Sequence, residues 1–238
     1  MIKNYISIAR LDHWFKNIFV LPGILSGIIL SSSYEFKLFY LIYYLFPVFC
    51  ICIIMSANYT INEFLDANFD KMHPTKKYRP AALGLLNNNL VILQYIVLGF
   101  LGLLLSFYIN FSFSFWSLIL LIMGLLYNVK PFRTKDLPII DILSESLNNP
   151  IRFILGWTII IPNQLPPISF LLFYWMAGSF LMAIKRLAEY RTIDNKALLS
   201  TYRNSFKFYN DENLLLLSFF YAMLSIFSLT VIFLKYKI

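Results

Sequence analysis

Charge is what this chain has least of. Of 238 residues only 13% are Asp, Glu, Lys or Arg, while 59% are hydrophobic. Ordinary soluble domains carry about a quarter charged residues, so a soluble domain is excluded and a polytopic membrane protein is implied. The apolar runs are continuous rather than alternating, which excludes a β-barrel and predicts an all-α fold. Cysteine is limited to Cys50 and Cys52, both inside one apolar run with no metal-ligand partners nearby, so they read as packing residues. The two histidines, His13 and His73, stand alone and are not counted as ligands. There is no low-complexity linker and no obvious repeat, so 1–238 reads as one domain. The polar, basic start MIKNYISIARLDHWFKN lacks the short apolar core and cleavage site of a signal peptide, and an uncleaved first span is expected.

About twenty apolar residues span a bilayer as helix. Residues 1–17 are expected to lie at the interface, with His13, Trp14 and Phe15 at headgroup level. Seven spans are then expected, at roughly 18–33, 38–62, 89–108, 112–128, 138–161, 167–186 and 213–234, with polar loops at about 66–87, 128–137 and 187–212. If the N-terminus is cytoplasmic, Lys3, Arg10 and Lys16, the loop cations Lys71, Lys76, Lys77, Arg79, Lys130, Arg133 and Lys135, and six more between spans 6 and 7 share one side. Lys37, Lys235 and Lys237 lie opposite, and Arg152 falls within span 5. That asymmetry predicts the N-terminus and the three large loops in the cytoplasm, in a membrane of the bacterial inner or plasma type. It also accounts for the net charge of +8 without nucleic acid.

The chemistry gathers at the end of span 2, in NEFLDANFDKMHPTKKYRP. Asn62, Asp66 and Asp70 are four apart and share one helix face, and Glu63 adds an oxygen donor beside them. Hard oxygen donors of this kind suit Mg²⁺, which takes one or two carboxylates and completes its shell with water and substrate phosphate. Lys71, Lys76, Lys77 and Arg79 follow and suit the same phosphates. The plainer alternative is a solvated helix end with topology-setting cations. Span 5 carries Asp141, Glu145, Asn149 and Arg152 at spacings of 4, 4 and 3. They read either as a buried network that locks helices or as the lining of the cavity that holds Asp66 and Asp70. Between spans 6 and 7, Lys185 and Glu189 fit a helical i, i+4 pair, while Lys185, Arg186 and Arg191 fit phosphate binding. The cations Lys130, Arg133 and Lys135 have the same two readings. Tyr127 reads as an interfacial aromatic or a hydroxyl donor.

The stretch Asn62-Glu63-x-x-Asp66-x-x-x-Asp70, with its lysines and Arg79-Pro80, resembles the N-D-x-x-D-x-x-x-D motif and R-P tail of the UbiA-type prenyltransferase superfamily. Trp14-Phe15-Lys16-Asn17 resembles the W-x-K-N that opens the family's helix 1, and YNVKPFRTK from Tyr127 to Lys135 resembles its Tyr and basic segment after helix 4. The resemblance covers nearly the whole chain, with its parts in order. It implies a helical bundle around a lipid-open cavity, with Mg²⁺–diphosphate beneath the polar loops and the isoprenoid tail in the membrane. Asn62, Asp66 and Asp70 would then hold the Mg²⁺–diphosphate, with Glu63 the further metal donor that its place beside them offers, and with Lys16, Asn17, Arg79, Lys130, Arg133 and Lys135 as phosphate or cavity contacts.

Three departures shape the expectation. Glu63 stands where the family has Asp, one methylene longer. Lys185-Arg186-x-x-Glu189 stands where aromatic prenyltransferases carry a second D-x-x-x-D motif, and Glu189 and Asp194 are five apart. This K-R-x-x-E pattern is similar to the branch that includes decaprenyl-phosphate phosphoribosyltransferase, and a basic patch suits an anionic second substrate. Finally, seven expected spans against the family's usual nine suggest a chain that is short of the last two helices. The resulting expectation is a Mg²⁺-dependent membrane transferase that acts on an isoprenoid phosphate or diphosphate and a small-molecule second substrate, releasing pyrophosphate. The other classes considered are a small transporter, for which the span-5 stripe is the one feature, and a non-catalytic truncated relic.

Overall fold

The computed structural model describes residues 2–31, 41–193, 199–201 and 203–236. Lys37, Asp194 and Lys237, used above for topology and the second motif, lie outside them. Among the described residues the chain is helical, with no strand. The helices are α1 (Ile2–Ile8), α2 (Leu21–Leu30), α3 (Leu41–Asp70), α4 (Asn88–Phe107), α5 (Phe111–Asn128), α6 (Ile140–Ser146), α7 (Asn148–Ile160), α8 (Ile168–Thr192) and α9 (Asp211–Tyr236). Six stretches among the described residues are long and apolar enough to cross a membrane: Ile2–Leu30, Tyr44–Asp70, α4, α5, α8 and α9.

Two expectations change. The motif loop does not start at 66, because α3 continues to Asp70 and keeps both aspartates on the helix. Residues 138–161, expected as one span, form α6 and α7, separated at Leu147. Pro150 explains the break. It has no N–H to give the carbonyl four residues back, a defect that is tolerated only in the first turn of a helix. A new helix therefore starts at Asn148, and Pro150 sits in that turn.

The chain forms two compact units, one of Met1–Leu125 with Ile151–Leu165 and one of Leu126–Pro150 with Pro166–Ile238. In the first, α3 is the central element. Its thirty residues make a rod of about 45 Å. Cys50, Ile51, Cys52, Ile53, Ile54, Met55 and Ala57 are buried in succession, so this helix is covered on all sides rather than on one stripe. The 3-10 helix Leu11–Val20 runs antiparallel along it. Asn17 Nδ2 donates to Cys52 Sγ at 3.1 Å, Trp14 Nε1 to Ser56 Oγ at 2.9 Å, and the His13 ring packs edge-on against Tyr59. Glycines allow α2 and α7 to touch backbone to backbone. A Cβ at Gly23 would run into the Phe153 carbonyl, and one at Gly156 into that of Val20. Close crossings through small residues are how membrane helices pack where no hydrophobic drive separates helix from lipid.

In the second unit α8 and α9 form an antiparallel pair. Phe170 meets Tyr236 at one end, and Arg191 meets Asp211 at the other. α6 lies across α8, where Ser146 and Ser179 hydroxyls are 2.8 Å apart and Trp175 Nε1 donates to the Leu143 carbonyl at 3.0 Å. The apolar core there is built on Ile142, Met176, Ala183, Leu187, Phe206, Tyr209, Leu214 and Tyr221.

Candidate functional site

In the first unit the acidic motif occupies the last turns of α3. At 100° per residue, Asn62, Asp66, Asp70 and Glu63 fall within about 100° of arc, with Asp70 and Glu63 at one edge. That edge is the inner one: Glu63 is 3% exposed and Asp70 1%, while Asn62 and Asp66 are half-buried. Each inner carboxylate has an arginine. Arg10 reaches Glu63 Oε2 with Nη2 at 2.9 Å and Nε at 3.3 Å. Arg79 Nη1 reaches Asp70 Oδ2 at 2.6 Å. Arg79 is therefore held on the motif itself, where the sequence suggested a contact to phosphate.

The donor set fits Mg²⁺. All four residues offer carboxylate or carboxamide oxygen on one face, and Glu63 Oε1 is buried with no hydrogen-bond partner. They do not form a preassembled cage: among the described residues no three His, Cys, Asp or Glu side chains are gathered for a metal. Since Arg10 and Arg79 engage Glu63 and Asp70, the four-ligand expectation narrows to Asn62, Asp66 and the remaining oxygens of Asp70 and Glu63. A Mg²⁺ that takes most of its shell from water and phosphate needs no more than one or two of these.

The flanking residues divide. Lys16 is half-buried, with Nζ 3.4 Å from His13 Nδ1. Lys76 is half-buried and Lys77 exposed, with the Lys77 ammonium over the Tyr78 ring. His73 Nδ1 accepts from the Thr75 and Lys76 amides, so it shapes this loop as a cap. Asn17 is buried and structural. Its Oδ1 accepts from Arg152 Nε at 3.1 Å, and Arg152 Nη2 lies 3.3 Å from Met55 Sδ. Arg152 thus belongs to the packed interior of the first unit, a correction to its expected place on one stripe with Asp141 and Glu145.

In the second unit the polar residues form a closed network around Arg186, which is 2% exposed. Its Nε donates to Asp141 at 3.1 Å, Nη2 to Glu145 at 2.6 Å and Nη1 to Glu189 at 3.5 Å. Tyr127 donates to Glu145 at 2.7 Å, and Lys185 pairs with the other oxygen of Glu145 at 3.3 Å. Arg203 Nη2 donates to Tyr127 Oη at 2.6 Å and Nη1 approaches Asp141 at 3.4 Å, while Ser205 and Tyr209 hydroxyls also donate to Asp141. Burial, then the Asp141 charge and that hydrogen bond, push the Tyr209 hydroxyl well above its usual range. The Tyr209 oxygen also accepts the amide of Ile139, a β-branched residue at φ 68, and so secures the start of α6.

Arg186 and Arg191 are therefore not open phosphate ligands. Arg186 is saturated by carboxylates, and Arg191 makes a two-point pair with Asp211. Lys135 and Arg133 are likewise buried, on Asn128 Oδ1 at 2.7 Å and on the Asn128 carbonyl and Asp136 respectively. Lys130 is exposed, and Lys185 is half-exposed. Asn149 lies against Gly178, where an added Cβ would meet its amide nitrogen. Sequence reasoning missed Arg10, Arg203, Ser205 and Tyr209. Arg10 stands 53 residues from Glu63, and Arg203 stands 62 from Asp141, so no local spacing signals either pair.

Comparison with known proteins agrees with this architecture. The chain is 27% identical over 191 residues to decaprenyl-phosphate phosphoribosyltransferase of Mycobacterium tuberculosis, covering 79% of this chain and 61% of the relative. The protein of that name from Mycolicibacterium smegmatis gives the same identity, with 79% and 58% covered. The chain spans about three fifths of the length of these curated relatives. A UbiA homolog from Archaeoglobus fulgidus, solved with GPP and Mg²⁺, shares the fold at a TM-score of 0.78 and 18% identity, over 97% of this chain and 78% of that one. The model of the UbiA prenyltransferase family matches residues 20–236, and on that match, with the fold and the ordered motifs, the chain belongs to this family.

Proposed function

We propose that this chain is a Mg²⁺-dependent transferase of the membrane that moves a phosphoribosyl group from phosphoribosyl pyrophosphate to a polyprenyl phosphate and releases pyrophosphate. The observation that carries the reading is the contrast between the two units. One sets three carboxylates and a carboxamide within one arc at the end of a helix, whereas in the other the carboxylates converge on the buried Arg186. One metal–diphosphate site with an anionic partner substrate is the chemistry that suits this. The 27% relatives named for that activity support it. In this reading the N-terminus and the loops carrying Lys76 and Lys130 face the cytoplasm, where water-soluble substrates reach them.

Asn62, Asp66 and Asp70 would hold the metal. Bound Mg²⁺ supplies charge neutralisation for the departing pyrophosphate. Lys16, Lys76 and Lys77 add fixed positive charge for the same oxygens, which is preorganised electrostatic stabilisation. Arg79 orients Asp70 through its 2.6 Å contact. Lys130 and Lys185 are assigned to the lipid phosphate. That phosphate is already a nucleophile at neutral pH, so no general base is needed. Apolar side chains exclude the water that would otherwise intercept an oxocarbenium-like centre.

The test is pyrophosphate release by purified protein in lipid or detergent, with Mg²⁺, polyprenyl phosphate and phosphoribosyl pyrophosphate. Release should require both substrates and vanish with EDTA. Asp66→Ala should lower it by at least about a hundredfold, as loss of one preorganised charge-stabilising group does elsewhere. Release that instead needs a prenyl diphosphate and an aromatic acceptor would sink the phosphoribosyl assignment.

A further inference from the structure

Glu63 carries an unexplained atom. It is 3% exposed, its Oε2 takes both Nε and Nη2 of Arg10, and its Oε1 is buried with nothing bonded to it. A buried acceptor left this way costs about 1–3 kcal/mol, more when charged, and in a native fold it points to a water, an ion or a role in the reaction. The residue that creates the asymmetry is itself strained. Arg10 lies at φ 51, ψ 56, a left-handed backbone rare outside glycine. It is pinned there from both sides, its N–H donating to the Ser7 carbonyl and its carbonyl accepting from the His13 amide. Strain at Arg10 and the unsatisfied oxygen of Glu63 thus meet at one contact, on the inner edge of the acidic face.

We propose that Arg10 is a positioning residue for the acidic motif. By occupying Oε2 from two nitrogens it fixes the carboxylate of Glu63 and leaves Oε1 as the acceptor for a water of the metal–diphosphate assembly. The length of the side chain explains why a clamp is needed. Glutamate has one more rotatable bond than aspartate, and an unclamped carboxylate at this position loses the orientation that a shorter side chain keeps by itself. The inference rests on the reading of Asn62, Asp66 and Asp70 as the metal face.

Its test is binding of Mn²⁺ together with pyrophosphate, followed by the Mn²⁺ electron paramagnetic resonance signal of the purified chain. Arg10→Gln should weaken binding 10- to 100-fold, the usual effect of removing a group that orients a ligand from outside the coordination sphere. In a Glu63→Gln background, Arg10→Gln should cause no further loss. Arg10→Lys keeps the charge but not the two-nitrogen fork, so it should also weaken binding, and it carries the test alone if Arg10→Gln does not fold. Wild-type affinity in Arg10→Lys would reduce Arg10 to a charge and overturn the proposal. Unchanged or tighter binding in folded Arg10→Gln would overturn it too, tighter binding being what relief of cation repulsion alone predicts. If the wild-type chain binds no Mn²⁺, the metal reading falls and this inference with it.

Discussion

Arg186 shows how much one side chain in the second unit has to balance. Three carboxylates converge on its guanidinium, and two of them, Asp141 and Glu145, come from the short helix α6. Removal of one member of a buried ionic group leaves the others desolvated and unpaired, at a cost of about 3–5 kcal/mol. Arg186→Met should therefore lower the denaturation midpoint in detergent far more than Arg191→Ala. The latter breaks an exposed pair with Asp211 that solvent screens. Equal shifts would refute the network. Arg186 and its three carboxylates stood out in the sequence, but their spacing did not show which cation takes which anion. At i, i+4 spacing Lys185 is the natural partner for Glu189, yet Lys185 goes to Glu145 and Arg186 takes Glu189 from i, i+3. Pairings of that sort are decided by which helix lies opposite, information that no local spacing carries.

At the scale of elements, the acidic helix was legible because it follows a period. Asn62, Asp66 and Asp70 recur every four residues in a run without proline or glycine, and α3 carries them to its last residue. The α6–α7 break was not legible from the same criterion, since Asp141, Glu145 and Asn149 keep a helical period straight through it. Only Pro150 marks the join, and a proline signals a helix start as readily as a kink. At the crossing with α7, the nearest atoms to an added methyl are backbone. Gly156→Ala places a methyl against the Val20 carbonyl, backbone that cannot turn aside. An overpacking cost of about 1–3 kcal/mol or more follows. Gly99→Ala meets only the end of the Leu121 side chain and gains helix propensity. Thermal unfolding read by size-exclusion chromatography should show a clear loss for the first and little change or a gain for the second.

At the scale of the molecule, composition alone identified the solvent. A chain that is 59% hydrophobic and only 13% charged belongs in a bilayer. Orientation rests on the distribution of Lys and Arg, and it makes a direct prediction. Thr75 is exposed in the turn after α3, and the native thiols Cys50 and Cys52 are buried. In intact cells Thr75→Cys should resist a membrane-impermeant maleimide and should label once the membrane is opened. Labelling of intact cells would reverse the orientation.

The antiparallel seam between the N-terminal segment and α3 has a consequence in time. Arg10, Trp14 and Asn17 bond to Glu63, Ser56 and Cys52, partners made 53, 42 and 35 residues later. While the ribosome is still adding those residues, the segment's arginine, tryptophan and asparagine have none of these partners, and they have to stay where water or headgroups satisfy them. The seam closes from Asn17 towards Arg10 as α3 emerges. Glu63, the last partner to arrive, meets its arginine only when the helix that bears the acidic face is almost complete.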